Sequence, residues 1–121
     1  MSDERVFMPE PLPVRKLLDW ADLGLSVVSG REGLSRSIER PELNRPALEM
    51  AGFFDKWQRD RIQVFGTGEI AYLEAHHTDE SVRRNLERIF SSPPPCVVVT
   101  SGLSVLDTIS TWAERYHVTV F

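Results

Sequence analysis

The chain changes its hydrophobic rhythm several times, and each change marks an element. Residues 1–13, with prolines at 9, 11 and 13 among charged positions, read as an extended arm, because proline fixes φ and disfavours helix in the residue before it. The domain proper is expected over 14–121. From Val14 the apolar positions Leu17, Leu18, Ala21 and Leu23 follow helical spacing, and Gly24 stands where a left-handed stop is useful. Residues 25–29 read as a strand, the GREG loop at 30–33 as a turn, and residues 37–40 as a weaker strand able to close a hairpin with the first. The segment ELNRPALEMAGFF, residues 42–54, predicts a short helix with Asn44 as its cap, Pro46 at its first position and Gly52 at its end. Its core-facing stripe would be Ala47, Leu48, Met50 and Ala51.

The second half is more regular. Residues 62–65 are β-prone and lead through Gly66, Thr67 and Gly68 into helical sequence from Glu69 to about Ala75. Val82, Leu86, Ile89 and Phe90 share one face of a further helix, capped by Thr78 or Asp79 and ended by the run SSPPP. Residues 96–100, led by Cys96 and three valines, form a continuous apolar strand of the kind covered on both faces. Ser104 then predicts a cap, with Asp107 as in a capping box, for a helix presenting Leu106, Ile109, Trp112, Ala113 and Tyr116. Residues 118–121 open another strand. Strands separated by helices require crossover connections, so the class is α/β, a three-layer α/β/α-type domain with a mostly parallel sheet. The chain ends at Phe121 inside that last strand, as expected of a piece of something longer.

Composition narrows the function classes. The 121 residues suffice for one self-standing domain, and no apolar run has the length of a membrane span. The amino terminus lacks the apolar core of a signal peptide, so a cytoplasmic protein is expected. A net charge of −4 argues against nucleic-acid partners. The single cysteine, Cys96, is expected as a buried thiol.

Catalytic constellations are missing from the sequence. There is no G-x-x-x-x-G-K-[ST] loop, and the only lysines are Lys16 and Lys56. GTGEIA lacks the third glycine of a dinucleotide fingerprint and is explained as a tight strand-to-helix turn. His76 and His77 point about 100° apart on a helix and cannot share one metal. Arg83, Arg84 and Arg88 alternate with Asp79, Glu80 and Glu87 as a solvated face. No metal ligand set and no catalytic residue is assigned.

Two features survive. Ligands in parallel sheets gather at the carboxyl ends of strands. Gly66, Gly68 and Glu69 occupy one such end, and Thr100, Ser101 and Gly102 another. Asn44 and Arg45 would add an amide and a guanidinium if their helix faces the same side, making a mouth for a small anionic or nucleotide-like ligand. The plainer reading has Asn44 capping a helix and Arg45 pairing with a carboxylate. The second feature is Phe53, Phe54 and Trp57, which either complete the core or form an apolar patch for another domain or subunit.

The runs at 24–54, 61–74 and 94–103, with Asn44-Arg45-Pro46, Gly52-Phe53-Phe54, Arg61-Ile62-Gln63-Val64 and the end at Thr100 to Gly102, resemble the amino-terminal domain of HPr kinase/phosphorylase. The resemblance implies a fold similar to the amino-terminal domain of the muramoyl-peptide ligases. It implies a parent enzyme that phosphorylates a regulatory serine of the phosphocarrier HPr with ATP or pyrophosphate, removes it by phosphorolysis, and so serves carbon catabolite regulation. The family's P-loop, Mg ligands, HPr contacts and catalytic residues belong to a carboxyl-terminal kinase domain, so no cofactor is expected in this chain. A hexamer is the family's assembly.

Overall fold

The computed structural model describes residues 10–100 and 103–121. Its centre is a three-stranded parallel sheet in the order β3 (Leu43–Asn44), β4 (Ile62–Phe65), β5 (Val97–Val99). Gln63 stands opposite Asn44 on one side and Val97 on the other. The final residues extend it: Val97 and Val99 donate to the carbonyls of Thr119 and Phe121, and Phe121 donates back to Val97. Val120 bridges Ser29 in the antiparallel sense. The expected strands at 25–29 and 118–121 therefore exist as isolated bridges. A separate antiparallel pair joins β1 (Leu12–Pro13) to β2 (Ser37–Ile38).

Alternation along β5 divides the core. Val97 and Val99 enter a large cluster with Phe65, Ile70, Leu86, Ile89, Phe90 and Ile109. Cys96 and Val98 point the other way, toward Val14, Leu17, Ile38 and Phe121. Period-two alternation with apolar residues on both sides is what a sheet covered on both faces requires. The first cover is helical: α2 (Thr67–Ala75), α3 (Glu80–Ser91) and α4 (Asp107–Tyr116). Asp79 caps α3 by accepting from the Ser81 N–H at 2.9 Å, as its sequence predicts. Tyr116 donates to Glu87 and ties α4 to α3.

The second cover departs from expectation. Residues 14–23 form two 3-10 segments, Val14–Asp19 and Ala21–Leu23, interrupted at Trp20, where one amphipathic helix was predicted. Gly24 follows at φ 63°, as predicted for a left-handed stop. The hairpin between 25–29 and 37–40 does not form. Ser37–Ile38 pairs with Leu12–Pro13, which places the last residues of the expected arm inside the fold. Gly30 gives the reason: at φ 71°, a Cβ on it would stand 1.9 Å from the Val118 carbonyl oxygen. GREG is thus a point where the backbone presses against the carboxyl-terminal strand, and residues 31–35 coil into a 3-10 turn there.

Two helix starts also differ. The helix after Pro46 is a single turn, α1 (Ala47–Met50), and Asn44 lies in β3 instead of capping it. Of its expected stripe only Met50 is buried; Ala47, Leu48 and Ala51 are exposed, and Glu49 is buried in their place. α4 starts at Asp107, with Leu106 in the cap position, so Ser104 is no cap. Leu103, Val105 and Leu106 pack against the large cluster, and Leu106 itself is extended at φ -70°, ψ 147°.

Candidate functional site

Parallel pairing puts the carboxyl ends of β3, β4 and β5 on one edge. At this edge Arg45, just past β3, donates from its Nη2 to Glu69 Oε1 at 2.8 Å, and the Gly66 N–H donates to the same oxygen at 2.8 Å. Glu69 stands in the first turn of α2 and is buried, while 61% of the Arg45 side chain is exposed. Burial pushes the Glu69 carboxyl up. The hydrogen bonds from Arg45 and Gly66, with the nearby guanidinium charge, outweigh it and hold the group below the usual carboxylate range. A Cβ at position 66 would lie 2.7 Å from Arg45 Nη2, so a side chain there would push the guanidinium away from Glu69.

Asn44 serves a different purpose from the capping predicted for it. Its Nδ2 donates to Gln63 Oε1 at 2.7 Å. Gln63 is fully buried, and its own amide nitrogen donates to the carbonyls of Gln58 and Arg61 at 2.9 Å each. Leaving a buried amide unpaired costs more than leaving an exposed turn uncapped, so the side chain goes to the glutamine. Gln63 was not singled out in the sequence; its signal was a polar residue in the middle of the apolar run IQVF.

The remaining candidates are distributed as follows. Gly68 is exposed on α2, and a Cβ there would meet nothing within 4 Å. Thr100 follows β5 and donates its N–H to the Phe65 carbonyl at 3.1 Å, beside Gly66. Ser101 and Gly102 lie outside the described residues. Of the aromatic trio, Phe54 and Trp57 are half-buried against the large cluster, edge to face at 6.1 Å, with the Arg88 guanidinium 4.2 Å from the Phe54 ring centre. Phe53 is 45% exposed, beside exposed Leu48. The structure therefore brings Arg45, Gly66, Glu69 and Thr100 to one edge and sends the aromatics elsewhere.

Cys96 is fully buried and its thiol is pushed up to about 12 by that burial. Arg40, enclosed by protein, bonds Glu42 and Asp60 at 3.1 Å each. No group of three or more His, Cys, Asp or Glu suited to a metal occurs among the described residues. No helix among them is long and apolar enough to cross a membrane.

A three-stranded parallel sheet, helices on one face and a polar junction at its carboxyl edge define an α/β domain. Residues 12–121 match the family described as HPr Serine kinase N terminus, and the chain belongs to that family. Relatives named HPr kinase/phosphorylase include one from Leptospira biflexa, 40% identical over 97 residues, covering 78% of this chain and 30% of the relative. Another, from Bacillus mycoides, is 35% identical over 85 residues, covering 70% of this chain and 27% of the relative. The match thus spans less than a third of the length of these relatives.

Proposed function

We propose that this chain is an accessory, non-catalytic domain of an HPr serine kinase/phosphorylase, and that its task is assembly. The parent, a cytoplasmic enzyme of carbon catabolite regulation, would transfer phosphate from ATP or pyrophosphate to HPr in a separate kinase domain that also holds the Mg. Support comes first from the family, matched over an amino-terminal segment. The observation that carries assembly is an apolar surface where the second cover meets the carboxyl end of β5. Leu23 and Val28 line a groove of about 560 Å³ with Leu25, Val98, Leu103 and Phe121. Trp20, 53% exposed, and Leu18 adjoin it in the chain. Exposed apolar clusters of this kind are where subunits or domains meet.

Two measurements test the reading. Incubation of the purified chain with HPr and either ATP or pyrophosphate should yield no phosphoserine; phospho-HPr from clean material overturns the non-catalytic role. Sedimentation velocity should show concentration-dependent association that Leu23→Asp weakens. Identical profiles for both proteins would remove the assembly role.

A second reading, a small-ligand sensor at Asn44, Arg45, Gly66, Gly68, Glu69 and Thr100, is favoured by one observation. The Arg45 guanidinium is largely exposed at the edge where the parallel strands end. Nucleotides or sugar phosphates should then raise the melting temperature of the chain, and Arg45→Ala should abolish the rise. A flat response excludes the sensor.

A further inference from the structure

We propose that a second site, the cleft between the end of α2, the first turns of α3 and the start of α4, binds a free apolar α-amino acid as its zwitterion. The cleft has a volume of about 370 Å³, within the range of small-molecule sites. Its floor is apolar, made by Leu73, Val82 and Leu86, which are buried, and by half-buried Leu106. Its rim carries both signs of charge: Glu74 from α2, Arg83 from α3 and Asp107 from α4. None of these three side chains has an ion pair or hydrogen bond with another described residue. The two histidines belong to the wall. His76 stacks on Tyr72 with ring centres 4.4 Å apart, and His77 Nδ1 lies 2.9 Å from the Glu74 carbonyl.

The charge pattern selects the ligand. A simple anion would meet two carboxylates, a simple cation would meet Arg83, and a neutral apolar molecule would leave all three groups unused. A zwitterion with an apolar side chain engages each of them. Its carboxylate pairs with the Arg83 guanidinium, whose planar fork suits that group. Its ammonium lies toward Glu74 and Asp107, and the carbonyl end of α2 adds to the attraction. The side chain covers the leucines and valine of the floor, removing apolar area from water on both partners. The proposal is independent of the assembly reading: no residue lines both the cleft and the groove, which come nearest in the chain at Leu106 and Val105.

Nuclear magnetic resonance titration of the full chain with three related probes tests it. L-Phenylalanine should shift the amide signals of residues 73–77, 82–86 and 106–108 and saturate below about 10 mM. Phenylacetate, which lacks the ammonium, and phenethylamine, which lacks the carboxylate, should each bind about tenfold more weakly. Arg83→Ala should weaken phenylalanine and phenylacetate while sparing phenethylamine. Glu74→Gln should do the reverse for the two analogues. Both positions are exposed, so the variants keep the fold. Absent or scattered shifts, equal binding of all three probes, or variants without effect would each overturn the assignment.

Discussion

Two buried glutamates show how the surroundings of a single residue set the sign of its pH dependence. Glu69 is held below its ordinary value, so the native state favours its ionised form. Its stabilisation is present above the ordinary carboxylate range and is lost as pH falls through the depressed native value. Glu69→Gln should lower stability at pH 7 by about 1–3 kcal/mol, because the Gly66 N–H and Arg45 lose a charged acceptor. Urea denaturation at pH 7 and pH 3 would show the deficit shrinking at the lower pH. Glu49 behaves oppositely. Burial raises it above its ordinary value, and only a hydrogen bond to its own backbone opposes the shift. Ionisation therefore costs native stability as pH rises from the ordinary carboxylate value through the raised native one. Glu49→Gln should raise the urea midpoint at pH 7 and lose that advantage near pH 4; a lower midpoint at pH 7 would contradict the burial argument. The sequence shows both glutamates but not their partners. Glu69 sits three positions after Gly66, a legible capping pattern, whereas the burial of Glu49 depends on how α1 lies on α3.

At the scale of elements, local signals succeeded where an element is long enough to bury its own stripe. The apolar spacing of α3, with Val82, Leu86, Ile89 and Phe90 buried, is the clearest case. Short elements were decided by neighbours. Residues 25–29 have strand-like composition, yet only Ser29 forms a bridge, because Gly30 and Gly33 must approach the backbone of residues 117–119. That approach is pinned by the Gly30 N–H donating to Glu114 at 2.7 Å, by Thr119 donating to the Gly30 carbonyl at 2.6 Å, and by Arg36 donating to the carbonyls of Tyr116 and His117. Gly30→Ala combines a left-handed φ with a backbone collision, so it should destabilise by more than about 2 kcal/mol. Gly68→Ala, where nothing is near and the residue is helical, should stabilise by up to about 1 kcal/mol. Thermal melts of the two variants would separate close approach from simple helix propensity; similar melting points would refute the contact at Gly30.

Across the whole molecule, the sheet is a partition with unequal covers. One is built of three packed helices and the other of 3-10 turns and a two-stranded ribbon. Cys96 lies beneath the second cover, fully buried with its thiol raised to about 12. It should resist thiol reagents at pH 8 in the native state and react only when that cover opens. Comparing its alkylation rate with amide exchange of the helices would show whether the covers open together; rapid native labelling would contradict the packing. The second cover is also the one that exposes Trp20, Leu23 and Val28, which fits its proposed use as a contact surface.

Composition and periodicity by themselves determined the α/β class, the capped α3 and the doubly covered strand beginning at Cys96, because hydrophobic spacing encodes which side of an element meets the core. They also put Gly66 and Glu69 at the carboxyl end of a strand, since glycines signal strand-to-helix turns, but left the approach of Arg45 conditional on the direction of the segment after Pro46. Only the tertiary structure decided that Asn44 serves Gln63, that residues 12–13 join the fold, and that Leu106 precedes α4. Those outcomes turn on which distant backbone or amide competes for a short segment, and a contact between distant residues leaves no periodicity in the chain to be read.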